Sequence, residues 1–436
     1  MLSISTLKGS GGALAGYFEK DSGEADYWSK EAGESTAWIG AGAAELGLCG
    51  AVDQASFEKI MDRNLPGVGQ LPGGQGGARR MGYDLTFSAP KSLSIQALVT
   101  GDQRLLAAHQ EAVKETLATI EKDVLKAQFK AGGKVQHEST GKMTAAVFAH
   151  ETSRELDPQI HSHAVVANVT RTADGKWRAL EGSQFYKHKM LSGAEYRARL
   201  ASKVQALGYK VNITHGDGRF ELKGISRKQI EGFSKRRAQI ESALKASGYK
   251  GAKASEVASL ATRKAKAPKL NKAQFMETWK SAAKKAGISL KTPTKPLNAL
   301  SQSQRTVNAQ KAVKQAFAAS FQHGKAVPMA KVEGKAMGFA VGKASPSDVR
   351  KAVVKLSKGQ VSIKKGMAQP SRKLALASKL KVQAGQLASR SLKANARRSV
   401  LSVVAPPGVG QLLSALRLSR QIGKDIGREE GRGISR

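Results

Sequence analysis

The spacing of hydrophobic and polar positions changes several times along this chain, and each change marks an element. YDLTF (83–87) alternates apolar and polar side chains, the period of a strand with one buried face. KMTAAVFAH (142–150) and QIHSHAVVANVTR (159–171) read as two further strands, joined by a polar turn containing Asp157-Pro158. LSIST (2–6) predicts a short strand. Residues 101–128 carry apolar side chains at helical spacing with Asp102 near the start. Helices are also predicted over 10–20, 189–207, 226–247 and 271–286, with a hairpin across HGDG (215–218). Strands joined locally and interspersed with helices predict an α+β fold, an antiparallel sheet flanked by helices.

The pattern breaks at KTPTKPLNALSQSQ (291–304), where two prolines and polar residues interrupt it. We therefore expect a first unit over 1–300 and a second over 301–436. In the second, 345–366 reads as a small helix–strand unit and 371–404 has helical composition, giving a basic, mostly helical extension. VLSVVAPPGVGQLLSALRL is apolar but broken at Pro406, Pro407 and Gly408, and could dock on a partner.

Composition then narrows the class. Of 436 residues, 40% are hydrophobic and 24% charged, which is globular rather than disordered. Lys and Arg number 72 against 34 Asp and Glu, a net charge of +38, and no acidic residue occurs between 349 and 424. A field of that sign attracts polyanions, nucleic acid before membrane because aromatic anchors are only 5%. For 371–404 a phosphate-tracking arm and a solvated tail are both open. The single cysteine, Cys49, excludes an internal disulfide, and neither a signal peptide nor a membrane span is predicted, so a cytoplasmic protein is expected. The glycine-rich stretches at 67–77 and 405–413 lack the Lys and Ser/Thr of a nucleotide-binding loop, so no ATPase motor is expected.

Chemistry concentrates in HETSRELDPQIHSHAVVANV. The chain has eight histidines, and His150, His161 and His163 fall within fourteen positions. On a strand, His161 and His163 share a face about 7 Å apart. An antiparallel hairpin would bring His150 beside them. Three neutral imidazoles bind a divalent ion and leave positions open for a substrate oxygen; Zn, Mn and Mg all suit. A metal histidine usually donates its second N–H to a carboxylate. Asp84, on the face of its strand opposite Tyr83 and Leu85, is a candidate, and a solvated strand aspartate fits its spacing equally well. A polyanionic substrate at such a site suggests phosphoryl transfer, with water or a side chain attacking. The segment ALAGYFEKDSGEADYWSK offers Tyr17 and Tyr27, each followed by a second aromatic residue; core packing or base stacking would account for these too.

These pieces together resemble the TrwC/TraI (MobF) class of conjugative relaxases, in the HUH endonuclease superfamily. The matching stretches are MLSI, the Tyr17 and Tyr27 pairs, AWIGAGAAELGLCGAVD, YDLTFSAPKSLSIQALV, FAHETSRELDPQIHSHAVVANVTR, DGKWRAL and IEGFSKRRAQI, over roughly residues 1–300. The resemblance implies that Tyr17 attacks the scissile phosphate at an origin of transfer and holds the 5′ end as a phosphotyrosine. It implies that Tyr27 acts in termination, that His150, His161 and His163 hold the metal, and that Asp84 assists them. Phe18 and Trp28 depart from the pattern, since relatives often carry a second tyrosine in each pair. The fold implied is a relaxase palm. The partners implied are single-stranded and hairpin origin DNA, a relaxosome accessory protein and a type IV coupling protein, with export to the recipient cell. Arg79, Arg80, Lys91 and Arg154 lie beside the proposed site and could hold phosphates, and ordinary surface charge accounts for any one of them equally well. A replication initiator or metal-dependent nuclease of the same superfamily, and a non-enzymatic single-strand-binding protein, stand as alternatives.

Overall fold

The computed structural model describes residues 1–21, 36–72, 79–153, 155–248, 251–262 and 272–383. Its centre is an antiparallel sheet of β1 (Leu2–Lys8), β2 (Thr36–Ile39), β3 (Arg80–Ser88), β4 (Ala145–Thr152) and β5 (Pro158–Ala167), in the spatial order β1-β3-β5-β4-β2. The two-residue period predicted for 83–87 separates the faces of β3. Tyr83, Leu85 and Phe87 enter one core with Ile160, Ala164 and Val166 of β5. Asp84, Thr86 and Ser88 point to the other face, beside His163 and His161 in register. That second face is apolar at one end, where Phe148, Val165 and Ala167 join a separate core, and polar at the other.

Helices cover both faces. α1 (Gly11–Asp21) and α2 (Gln54–Met61) cap the apolar end of the histidine face through Leu14, Ala15, Phe18, Phe57 and Met61. Gly11 lets them close together: a Cβ there would meet the carbonyl oxygen of Glu58 at 2.4 Å. The opposite face is covered by α3 (Lys91–Thr100), α4 (Gln103–Asp123) and α5 (Ser183–Ala206). In α4 the Asp102 carboxylate accepts from the Arg104 amide, and Leu105, Ala108, Ala112, Val113, Leu117 and Ile120 form the buried stripe. α3 is buried on every side from Ser92 to Val99, so it has no polar face to betray it in sequence. Its serines are satisfied internally: Ser92 Oγ donates to Glu221 and Ser94 Oγ to the Pro90 carbonyl.

Four predicted elements differ. The 101–128 helix ends at Asp123, and Lys126–Ala131 is a strand paired with Lys134–Ser139. The 226–247 helix is two, Arg227–Gly232 and α6 (Lys235–Ser247), because the Asp157 side chain accepts from the Lys235 amide and starts a new helix there. The 159–171 strand stops at Ala167, where Asn168 turns its amide group onto the backbone of Leu180 and Arg80. Thr170–Arg171 then pairs with Trp177–Arg178 in a separate hairpin. The helix predicted over 189–207 begins earlier, at Ser183.

α7 (Ala252–Ala261) and α8 (Lys272–Lys285) complete the first part. Past the irregular stretch around 291–300, a capping box of Ser301 and Gln304 opens α9 (Gln302–Phe321). It is followed by α10 (Met329–Ala340) and α11 (Pro346–Ser357), with a three-stranded sheet in which Met367–Pro370 lies between Val327–Pro328 and Val361–Lys364. These elements own a third core, which reaches the first part through Leu191 and Ala194 of α5. Residues 372–383 are helical. The apolar stretch around Pro406 and most of 371–404 lie outside the described residues. Among the described residues no helix is long and apolar enough to cross a membrane.

Candidate active site and metal centre

The hairpin of β4 and β5 sets His150 directly opposite His161, and Phe148 opposite His163. Ring centres are 4.8 Å apart for His150–His161, 5.0 Å for His150–His163 and 5.3 Å for His161–His163. Three imidazoles holding one ion at about 2.0–2.1 Å in tetrahedral directions would have ring centres about 5 Å apart. Hydrogen bonding sets the tautomers. His163 Nδ1 lies 2.8 Å from Asp84 Oδ2, and His161 Nδ1 lies 2.9 Å from the Gln159 carbonyl oxygen. A carboxylate and a carbonyl only accept, so each Nδ1 carries the proton and each Nε2 keeps its lone pair for a ligand. Asp84 is buried and also accepts from Thr86 Oγ1 at 3.2 Å. The donor chemistry therefore fits a divalent cation. Among the described residues no group of three or more His, Cys, Asp or Glu side chains is placed to hold an ion as it stands.

Tyr17 arrives at this site because Phe18 is fixed. The Phe18 ring is fully buried, stacked on Phe148 at 5.2 Å and edge-on to His163 at 5.6 Å. Its neighbour Tyr17 is 37% exposed and lines an open groove of about 580 Å³ together with His161, His163, Thr86, Gln159 and Arg236. The aromatic residue after the tyrosine is thus the anchor that aims it, its ring held in the core by Phe148 and His163. His150 is buried, its ring stacked on that of His161.

The remaining sequence candidates are placed differently. Tyr27 and Arg154 lie outside the described residues. Arg79 donates to the Asp62 carbonyl at the end of α2. Arg80 donates to the Tyr83 hydroxyl at 3.1 Å and sits over its ring. Lys91 donates to the Pro158 carbonyl at 2.9 Å, and burial pulls its pKa down to about 8. None of these three lines the groove. Among the described residues that line the groove, the cation is Arg236, on α6. Its guanidinium donates to the carbonyls of Ser259 and Thr262, at 2.5 and 2.8 Å, so it ties α6 to α7 along one wall. Sequence reasoning assigned Arg236 no role, although it lies in IEGFSKRRAQI, a stretch that carried the resemblance.

A family model described as TrwC relaxase matches residues 11–286. The chain belongs to the TrwC relaxase family. Among solved members, conjugative relaxase TrwC in complex with origin-of-transfer DNA in a copper-bound form is 40% identical, covering 67% of this chain and all of that one, with a TM-score of 0.61. TrwC bound to a 27-mer DNA comprising the recognition hairpin and the cleavage site is 38% identical over 67% of this chain and all of that one, with a TM-score of 0.59. A metal-free TrwC complex is 39% identical over 66% of this chain and all of that one, also at 0.59. The multifunctional conjugation protein TraI of Escherichia coli K12 is 35% identical over 294 residues, which are 64% of this chain but 16% of TraI. This TrwC-family chain thus corresponds to a small part of that curated relative. The α+β palm expected from the sequence is the fold observed, and the match covers the part that holds the histidines and Tyr17.

Proposed function

We propose that this protein is a conjugative relaxase that nicks one strand of plasmid DNA at an origin of transfer and later rejoins it. The observation that carries the proposal is the shared groove: the phenol of Tyr17 opens into the same space as His161 and His163, with Asp84 holding His163. The Tyr17 Oη attacks phosphorus; an O–P bond to tyrosine forms as the P–O3′ bond breaks. The 3′ oxygen leaves as a hydroxyl, taking a proton, and the 5′ strand stays on Tyr17 as a phosphodiester. Because one phosphodiester replaces another, the reverse attack by a 3′-OH reseals DNA without ATP. His150, His161 and His163 would hold a divalent ion, and Asp84 keeps His163 in the tautomer that can ligate. Such an ion, when bound, polarises the non-bridging phosphate oxygens and stabilises the charge of the transition state. The Arg236 side of the groove supplies positive potential facing the substrate backbone. In this reading Tyr27 serves the second transfer, a single strand and its hairpin are the substrate, and accessory and coupling proteins are the partners at conjugation.

The test is a denaturing gel after incubation with an origin-of-transfer oligonucleotide and Mg or Mn. A retarded covalent adduct, lost in Tyr17→Phe and in His161→Ala while DNA binding persists in both, is the expected result. Cleavage without an adduct would instead make the protein a hydrolytic nuclease, and binding without cleavage would reduce it to a single-strand binder.

A further inference from the structure

The segment after the relaxase part has a topology of its own. In order it is helix α9, strand Val327–Pro328, helix α10, a turn, helix α11, then the hairpin Val361–Lys364 and Met367–Pro370. The turn between α10 and α11 is five residues, 341–345, and passes through Gly342 at φ 71°. Two helices joined by a short glycine-containing turn form a helix–turn–helix, and the hairpin beside them makes a wing. The wing tip is the two-residue loop Lys365-Gly366 with φ 48° and 75°, the positive pair that a type I′ turn demands. A shared core of Val313, Phe317, Val332, Met337, Val349 and Val353 holds the three helices together.

The outward face of α11 is the informative surface. Val349, Ala352 and Val353 point inward, whereas Ser347, Lys351, Val354, Lys355 and Lys358 are exposed. Those five recur at i, i+4, i+7, i+8 and i+11, a single stripe along the helix. Val354 is 63% exposed and Ile363 on the wing 53%. Lys364 and Lys365 continue the positive stripe onto the wing tip. Over 302–370 there are thirteen Lys and Arg against Glu333 and Asp348, a net charge of +11. Neither acid opposes the stripe: Asp348 closes the capping box of α11 and pairs with Arg305, and Glu333 sits half-buried near Arg350. The module docks on α5 through Gly334 of α10, close against Leu191, and through Arg350 of α11, which borders the stripe and pairs with Glu195 and Asp123, leaving the five stripe residues exposed.

We propose that residues 302–370 are a second DNA-binding site, one that lays α11 in the major groove of duplex DNA and its wing on the adjoining backbone. The B-form major groove, about 12 Å wide, admits an α-helix. Lysines at the edges of the stripe meet phosphates, and exposed Val354 meets base edges, where thymine offers a methyl group. Duplex beside the nicked strand is the occupant. This inference is separate from the strand transfer at Tyr17 and stands or falls without it.

The experiment uses the full chain and a duplex oligonucleotide lacking any single-stranded tail, followed by fluorescence anisotropy across a salt series. Lys351→Ala, Lys355→Ala, Lys364→Ala and Lys365→Ala are combined in one variant. The expected result is a duplex affinity lower by about tenfold or more, and a plot of log K against log salt shallower by about 2–4. Circular dichroism and adduct formation on a short single strand should be unchanged. Val354→Glu, at an exposed site outside the core, should weaken duplex binding on its own. Unchanged duplex affinity in both variants overturns the proposal. So does an equal loss on removing four exposed lysines elsewhere (Lys223, Lys228, Lys280 and Lys284). An equal loss on double-stranded RNA also overturns it, since the deep, narrow RNA major groove cannot take the helix. Repeating the series in Tyr17→Phe keeps the result independent of nicking.

Discussion

A proton on one nitrogen decides whether His163 can ligate. Asp84 holds that proton at Nδ1 from 2.8 Å, and Asp84→Asn leaves an amide that can present either its oxygen or its NH2. Metal affinity should fall about 10–100-fold, measured by competition against a chromophoric chelator, while thermal stability changes little. His109 makes a second residue-scale prediction. It is fully buried between the Tyr196 hydroxyl at 2.7 Å and Ser162 Oγ at 2.9 Å, and burial pushes its pKa down to about 3. An unfolded histidine titrates near 6.5. Between those values the unfolded chain binds a proton that the native chain refuses. The stabilisation is therefore complete above about pH 6.5 and lost as pH falls toward 3, at up to about 1.4 kcal/mol per pH unit. From pH 7 to 5 that is about 2 kcal/mol, and His109→Gln should lose less than the parent in urea unfolding over that interval. At this scale the sequence disclosed much: H-x-H on a strand, His150 on its neighbour, and Asp84 on the matching face are where the period-two pattern put them. It did not disclose His109, which stands on a helix beneath the sheet, because burial at a distance leaves no local pattern.

Elements deliver these residues, and their legibility followed their periodicity. β3, β4 and β5 were readable because short apolar runs with polar residues at alternate positions are bounded by turn residues. α3 was not, being apolar-contacting all round, and the division of 226–247 was not, because the signal that divides it is the carboxylate of Asp157 on another element. The same long-range logic applies to the α6–α7 wall. Arg236 holds two carbonyls and the hydroxyl of Thr262 at the end of α7, and no spacing rule foretells such a tie. Arg236→Ala removes those bonds and leaves the α7 end without them. Amide hydrogen exchange should accelerate over 252–262 at least tenfold, with little change in β4 and β5. Single-strand affinity should fall with it, since the wall shapes the groove. Equal protection in the variant and the parent would mean that α7 is held by its packing alone.

For the whole molecule the question is whether the two parts behave as one body. The charge imbalance points to a nucleic-acid partner and the prolines at 293 and 296 to a junction, but neither foretells that α9–α11 pack onto α5. That contact encloses an ion pair: Glu195 of α5 is 1% exposed and accepts from Arg350 of α11, which also reaches Asp123 at 3.2 Å. Burial raises the Glu195 pKa while Arg350 draws it back down. Removing one partner of such a pair leaves a desolvated charge and costs more than removing both. Arg350 is partly exposed, so the expected cost of Arg350→Ala is about 2 kcal/mol rather than the larger value for a wholly buried pair. Calorimetry should show the midpoint of the affected transition lowered by about 4–8 °C. Adding Glu195→Gln to the same chain should recover most of the loss, because the amide tolerates burial without a cation. If the double variant were as unstable as the single, the pair would contribute nothing to the joint, and the apolar contact of Leu191 and Ala194 with α9–α10 would carry it alone.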